Sequence, residues 1–288
     1  MPWHRRCRAS RRGDGGRFRI ARNIGHHLGV ILLAVKALLA PSFVAGASVV
    51  ARRFGPWVGG VVGGLPVVAG PILLVYALSH GPVFAQQAAA GTLLGLLSLT
   101  AFVVVYGRLA SRARWYVCML CGWLAFAIST LALDGVEVPA GVALALACAG
   151  FAVGLLLLPD TTDDRPVIAS RPAWDLPVRA ACALALVLAL TTLSGWLGPQ
   201  LSGLLAPFPV ITTVLATFTH TQCGAGQAVR LLRGMLSGFV AFALFCFTLT
   251  ISLRASGVAA AFLFATALAL AGQAAMISRA RPTATAEI

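Results

Sequence analysis

Apolar residues in this chain gather into runs of about 20, separated by short polar or turn-rich interruptions. That is the length at which a helix rising ~1.5 Å per residue crosses a hydrocarbon layer of ~30 Å. The runs lack the strict alternation of a lipid-facing β-barrel strand. The pattern predicts an all-α fold, a polytopic transmembrane helical bundle of about nine spans. They fall at residues 30–50, 57–79, 83–106, 115–133, 138–158, 177–196, 200–220, 226–252 and 256–277. The longest interruption, residues 159–176, is rich in proline and mixed charges and links two halves.

The two halves share a pattern. Shifting the sequence by 143 positions lays Gly198–Gly238 on Gly55–Gly95 without a gap. Identical pairs include Gly55/Gly198, Pro56/Pro199, Gly60/Gly203, Pro66/Pro209, Val67/Val210, Gly81/Gly224, Gly91/Gly234, Gly95/Gly238 and Phe102/Phe245. Most of these are glycine or proline, so a backbone shape recurs rather than a general taste for apolar residues. The offset amounts to five spans, an odd number, which turns the second copy upside down relative to the first. Residues 30–133 (spans 1–4) and 177–281 (spans 6–9) are therefore predicted to form an inverted-topology internal repeat. Residues 138–158 serve as the connector span between them.

Composition sharpens this reading. With 59% hydrophobic and 10% charged residues and a mean hydropathy of +0.90, the chain has too little polar surface to clothe a soluble globule of 288 residues. The lipid bilayer is its first expected partner. The formal net charge of +14 does not point to nucleic acid, because eight of the 22 basic residues lie in the first 22 positions without aromatic interleaving. Residues 1–29 are expected to be a disordered basic tail, a signal-like extension or a stretch upstream of the natural start, and residues 282–288 a short tail.

Twelve arginines fall on one side if the spans simply alternate: Arg52, Arg53, Arg108, Arg112, Arg114, Arg165, Arg171, Arg179, Arg230, Arg233, Arg279 and Arg281. Once residues 1–29, whose eight arginines would fall on the opposite side, are set aside as a stretch upstream of the natural start, that side receives Arg254 with Asp134 and Glu137. Short basic loops stay in the cytoplasm, so the core is predicted to run N-terminus out and C-terminus in. Lys36, the one lysine, is expected to snorkel from the start of its span.

Candidate chemistry centres on the repeat. Pro66 with Gly70 and Pro71, and Pro207 with Pro209, stand near the middle of two equivalent spans and should break both helices there. Backbone groups freed at such breaks, together with the Thr212 and Thr213 hydroxyls and His220, are the candidate site for a small solute or ion. His80 and Gln222, beside the glycine-rich turns SHGPVFAQQ and THTQCGAGQ, are candidate gates, histidine being the side chain suited to carrying a proton there. The pairs Gly91/Gly95 and Gly234/Gly238, and Gly59/Gly63 with Gly60/Gly64, read as small-residue seams for helix packing.

The sequence carries no metal-site spacing around Cys118 and Cys121, and neither HExxH nor GxSxG, so no metal, cofactor or catalytic residue is expected. Asp160, Asp163 and Asp164 read as a solvated linker in preference to a Mg²⁺ cluster. No Asp or Glu falls within an expected span, which leaves histidine, hydroxyls and carbonyls to handle any coupling ion.

The segments ARRFGPWVGGVVGGLPVVAGPILL, SHGPVFA, LAPFPVITTVLATFTH and VRLLRG resemble a widespread family of bacterial inner-membrane proteins of unassigned function. The second copy is similar, more weakly, to the short GlpM-like membrane proteins. Neither likeness implies a substrate. Together with the repeat, it leads to the expectation of a secondary transporter or facilitator for a small polar or anionic solute. The alternative is a membrane scaffold or accessory protein; a second copy of the chain is a further expected partner.

Overall fold

A computed structural model describes residues 38–136, 138–160, 174–186, 188–189 and 208–279. Lys36, Pro207, both tails and most of the 159–176 loop lie outside these residues. Among the described residues all regular structure is helical. In chain order the helices are α1 (38–54), α2 (Pro56–Gly63), α3 (Ala69–Ser79), α4 (Pro82–Leu109), α5 (Trp115–Leu133), α6 (Ala140–Leu157), α7 (175–186), α8 (Val210–Cys223), α9 (Ala225–Ser256) and α10 (Val258–Arg279).

Five of them, α4, α5, α6, α9 and most of α10, are long and apolar enough to cross a membrane. This is the architecture of an integral membrane protein. At 28 and 32 residues, α4 and α9 extend to roughly 42 and 48 Å, more than the hydrocarbon layer requires. Their extra turns carry Arg108 at one helix end, and Arg230 and Arg233 near the other's start, clear of the apolar middle. The expected span 57–79 is present as two shorter pieces, α2 and α3, interrupted over residues 64–68.

Local chemistry sets these boundaries. Pro56 and Pro82 open α2 and α4 at positions where a missing N–H costs nothing. Gly81 and Gly224 precede α4 and α9 with nearly the same backbone, φ 87° ψ 169° and φ 87° ψ 171°, a conformation costly for any residue with a Cβ. The first residues of α4 and α9, Pro82 and Ala225, are 143 positions apart, as are those of α5 and α10, Trp115 and Val258.

The core is built on α4 and α9, which pack along each other in opposite directions. The amide of Gln86, at the start of α4, donates to the Thr250 carbonyl near the end of α9 at 2.7 Å. At the other end, Gly107 of α4 faces Leu232 of α9. Each takes its following helix, α5 on α4 and α10 on α9, and α6 lies against both. The cross-contacts are reciprocal: α3 touches α10, and α8 touches α5.

A second seam joins α2 to α9 through glycine. A Cβ on Gly60 would fall 2.0 Å from the Leu231 carbonyl oxygen, and one on Gly234 2.1 Å from that of Trp57. Gly64 and Gly238 meet in the same way one turn on. Two small-residue ladders thus face each other with backbone against backbone, the closest approach two helices can make. The expected Gly91 seam differs, since no described residue comes within 4 Å of a Cβ placed there.

Candidate functional site

The two proline breaks have one geometry. At the first, Val67 N–H turns back to the Leu65 carbonyl at 2.8 Å, and Gly70 N–H restarts the helix on the Pro66 carbonyl at 2.8 Å. At the second, Val210 N–H bonds the Phe208 carbonyl at 2.7 Å and Thr213 N–H the Pro209 carbonyl at 2.8 Å. Pro209 itself lies at φ −74° ψ 49°, close to an inverse γ-turn. Proline imposes that φ and withholds the donor that would continue the preceding helix. Just before the first break, the Gln273 amide of α10 adds a second donor to the Val61 carbonyl, which also accepts the Gly64 N–H at 3.1 Å.

Around the breaks the candidates take different surroundings. Gly70 packs 3.5 Å from the Phe245 ring if given a Cβ, and Pro71 occupies the first turn of α3. Thr212 and Thr213 are both buried. Thr213 Oγ1 accepts the indole N–H of Trp123 from α5 at 3.0 Å, while Phe208 rests on Trp123 and Phe126. Leu215 of α8 and Met235 of α9 both lie against Gly63 of α2, at the end of the first broken helix.

A line of polar side chains leaves the second break along α8. Most buried hydroxyls on α4 and α9 close on their own helix: Thr92, Thr100, Thr248 and Thr250 each donate to the carbonyl four residues back, at 2.7–2.8 Å. On α8, Thr213 and Thr217 differ: the first bonds across to α5 and the second has no partner. Beyond Thr213 comes Thr217, whose buried hydroxyl lies beside that of Tyr106 but outside good hydrogen-bond geometry and has no other partner. One turn further, the Tyr106 hydroxyl meets His220 Nδ1 at 3.3 Å.

The line ends in an ion cluster. Asp175, at the start of α7 and fully buried, receives hydrogen bonds from Arg179 at 2.9 and 3.0 Å, from the Gln222 amide at 2.5 Å, and from Arg52 of α1. Arg179 also bonds Gln222 Oε1 at 2.9 Å and covers the Phe218 ring at 4.9 Å. Burial alone would raise the Asp175 pKa, yet the hydrogen bonds from Arg179, Gln222 and Arg52 and the Arg179 charge outweigh it and hold the carboxyl below its usual range. Among the described residues, two arginines share this one carboxylate. Arg52 Nε is buried and has no acceptor.

Gln222 is therefore part of an ion cluster, and His80 has a different setting from His220. His80 is exposed at the far end of α3, stacked on Phe84 at 4.8 Å and edge-on to Tyr76. Arg179, one of the twelve arginines assigned to the basic side, is buried and paired. Asp175, expected in the loop, lies on a helix because α7 begins two residues before the span read from hydropathy. Arg52, Ser48, Tyr106 and Trp123 were outside the expected site. Among the described residues no three His, Cys, Asp or Glu side chains group as a metal site.

No family model, curated protein or solved structure matches the chain.

Proposed function

We propose that this protein is a bacterial inner-membrane transporter or facilitator for a small polar or anionic solute, built as an inverted repeat, with its solute path along α8. The observation that carries the reading is the unmet Thr217 hydroxyl in a polar line that runs from the Pro209 break to the Asp175 cluster with its two arginines. A polar group buried without a partner costs stability, roughly 1–3 kcal/mol. A solute hydroxyl or carboxylate passing through would satisfy it.

The inverted repeat draws support from direction. The equivalent helices α4 and α9 run antiparallel, and exchange of α3–α10 for α8–α5 contacts is what a two-fold axis lying across the helices produces. An axis along the helices would set α4 and α9 parallel. The resemblance to inner-membrane proteins points the same way, with the basic end, where Arg52, Arg108 and Arg233 gather, in the cytoplasm.

Reporter fusions after Arg53 and Arg114 should give cytoplasmic signals, and one after Gly135 an external signal; the reverse result at any two sites ends the proposed orientation. Flux tests the function. In proteoliposomes screened with small carboxylates, phosphate and neutral polyols, Thr217→Val and His220→Ala should lower exchange at least about tenfold with insertion intact, the thermal midpoint of Thr217→Val lying at or above the parent's because the unmet hydroxyl is gone. A protein in which neither change matters, and no solute exchanges, is the scaffold instead.

A further inference from the structure

The Arg52 guanidinium is the one group in the ion cluster whose bonding is incomplete. It spends one Nη on Asp175, while its Nε–H lies buried without an acceptor. Arg179, by contrast, is bound to Asp175 and Gln222, reaches Ser48 Oγ at 3.5 Å, and lies over Phe218. Arg52 is also the more accessible of the two, with 26% of its side chain exposed against 5% for Arg179. An arginine offers its donors in a planar fork that fits two oxygens of a carboxylate or phosphate side by side. Here one tine of the fork is unmet.

We infer that Arg52 is the anchor of an oxyanion-binding site at the basic end of the bundle, taking one carboxylate or phosphate group against its free Nε–H. The incoming oxygen completes the fork. Gln222 turns its amide N–H to Asp175 and its carbonyl to Arg179, which fixes the orientation of both and leaves the Arg52 Nε–H without an acceptor. Arg53 next in the chain, exposed at the same end, adds to the field that draws anions in. As the mouth of a solute path the site rests on the transport reading; as a binding site it rests on Arg52 alone.

The same chemistry is presented by a free anion and by a lipid headgroup, and the test separates them. The purified full chain in neutral detergent is heated in the presence of inorganic phosphate or acetate, with chloride at matched ionic strength to remove screening. Phosphate or acetate should raise the thermal midpoint above the chloride control. Arg52→Gln should need at least about tenfold more anion for the same shift, and Arg52→Lys should fall between, keeping the charge and losing the fork. In a second arm, nanodiscs of zwitterionic lipid are compared with nanodiscs containing phosphatidylglycerol. An Arg52-dependent rise with phosphatidylglycerol alone upholds the oxyanion site and assigns it to a headgroup, which removes it from the solute path. Equal shifts in parent and Arg52→Gln, or no shift in either arm, overturn the site. Flux that depends on Thr217 while binding ignores Arg52 would leave the transport reading standing without it.

Discussion

Gly234→Leu should prevent the protein from accumulating as a folded, monodisperse species. The Cβ alone would lie 2.1 Å from the Trp57 carbonyl oxygen, and a leucine adds three further carbons in the same seam. Overpacking in an ordinary core costs about 1–3 kcal/mol because side chains rotate aside. Here the atoms in the way are backbone, on α2 as on α9, so relief requires the two helices to separate along the Gly60/Gly64 and Gly234/Gly238 ladders. The cost should reach about 3 kcal/mol or more, a large part of the ~5–15 kcal/mol that holds a typical domain folded. Gly272→Ala is the control: its Cβ would meet Leu244 and Ala241 at 3.7 and 3.9 Å, ordinary contact. With no clash, the better helix former should be neutral or stabilising by up to ~1 kcal/mol. Size-exclusion profiles and thermal midpoints of the two variants read the difference directly. A Gly234→Leu protein as stable as Gly272→Ala would mean that α2 does not lie on α9.

How much of this could be read from the chain depended on how local each cause was. The interruption at Pro66 was legible because a proline acts on the carbonyl four residues behind it, and the neighbouring glycines say the same. The starts of α4 and α9 were legible for a similar reason, since Gly81 and Gly224 mark turns that few other residues adopt. Pairing was not. Sequence shows small-residue ladders at Gly60/Gly64 and Gly234/Gly238, but nothing in either ladder names the other as its partner. The Trp123–Thr213 and Tyr106–His220 contacts join residues 90 and 114 positions apart, and no periodicity records such a meeting.

Asp175 illustrates a narrower failure. Hydropathy placed the start of its span at residue 177, because an acid and a proline depress any window that includes them. The helix starts at 175, and those two residues convert a loop carboxylate into the buried centre of a cluster. The spacing of Asp175 and Arg179, four residues apart, was the available signal.

That cluster carries the second large effect. Asp175→Asn keeps the shape of the side chain but removes the charge that Arg52 and Arg179 share. With Arg179 almost wholly buried, the change leaves a cation inside the structure without its counterion, a situation that typically costs about 3–5 kcal/mol. Replacing the pair together is the informative companion. Asp175→Leu with Arg179→Met removes the buried charge along with its partner and should recover much of the loss, because a buried ion pair exchanged for apolar side chains is often close to neutral. The pH response follows from the direction of the Asp175 shift. A carboxyl whose pKa is lower in the folded than in the unfolded chain contributes stability that is fully present above the unfolded value, about 3.9, and is lost as pH falls through the lower folded one. The parent should therefore show an acid limb in its thermal midpoint below about pH 4 that is shallower in Asp175→Asn. If both proteins lose stability with the same slope, the ionised carboxylate is not what ties α1, α7 and α8 together at the basic end.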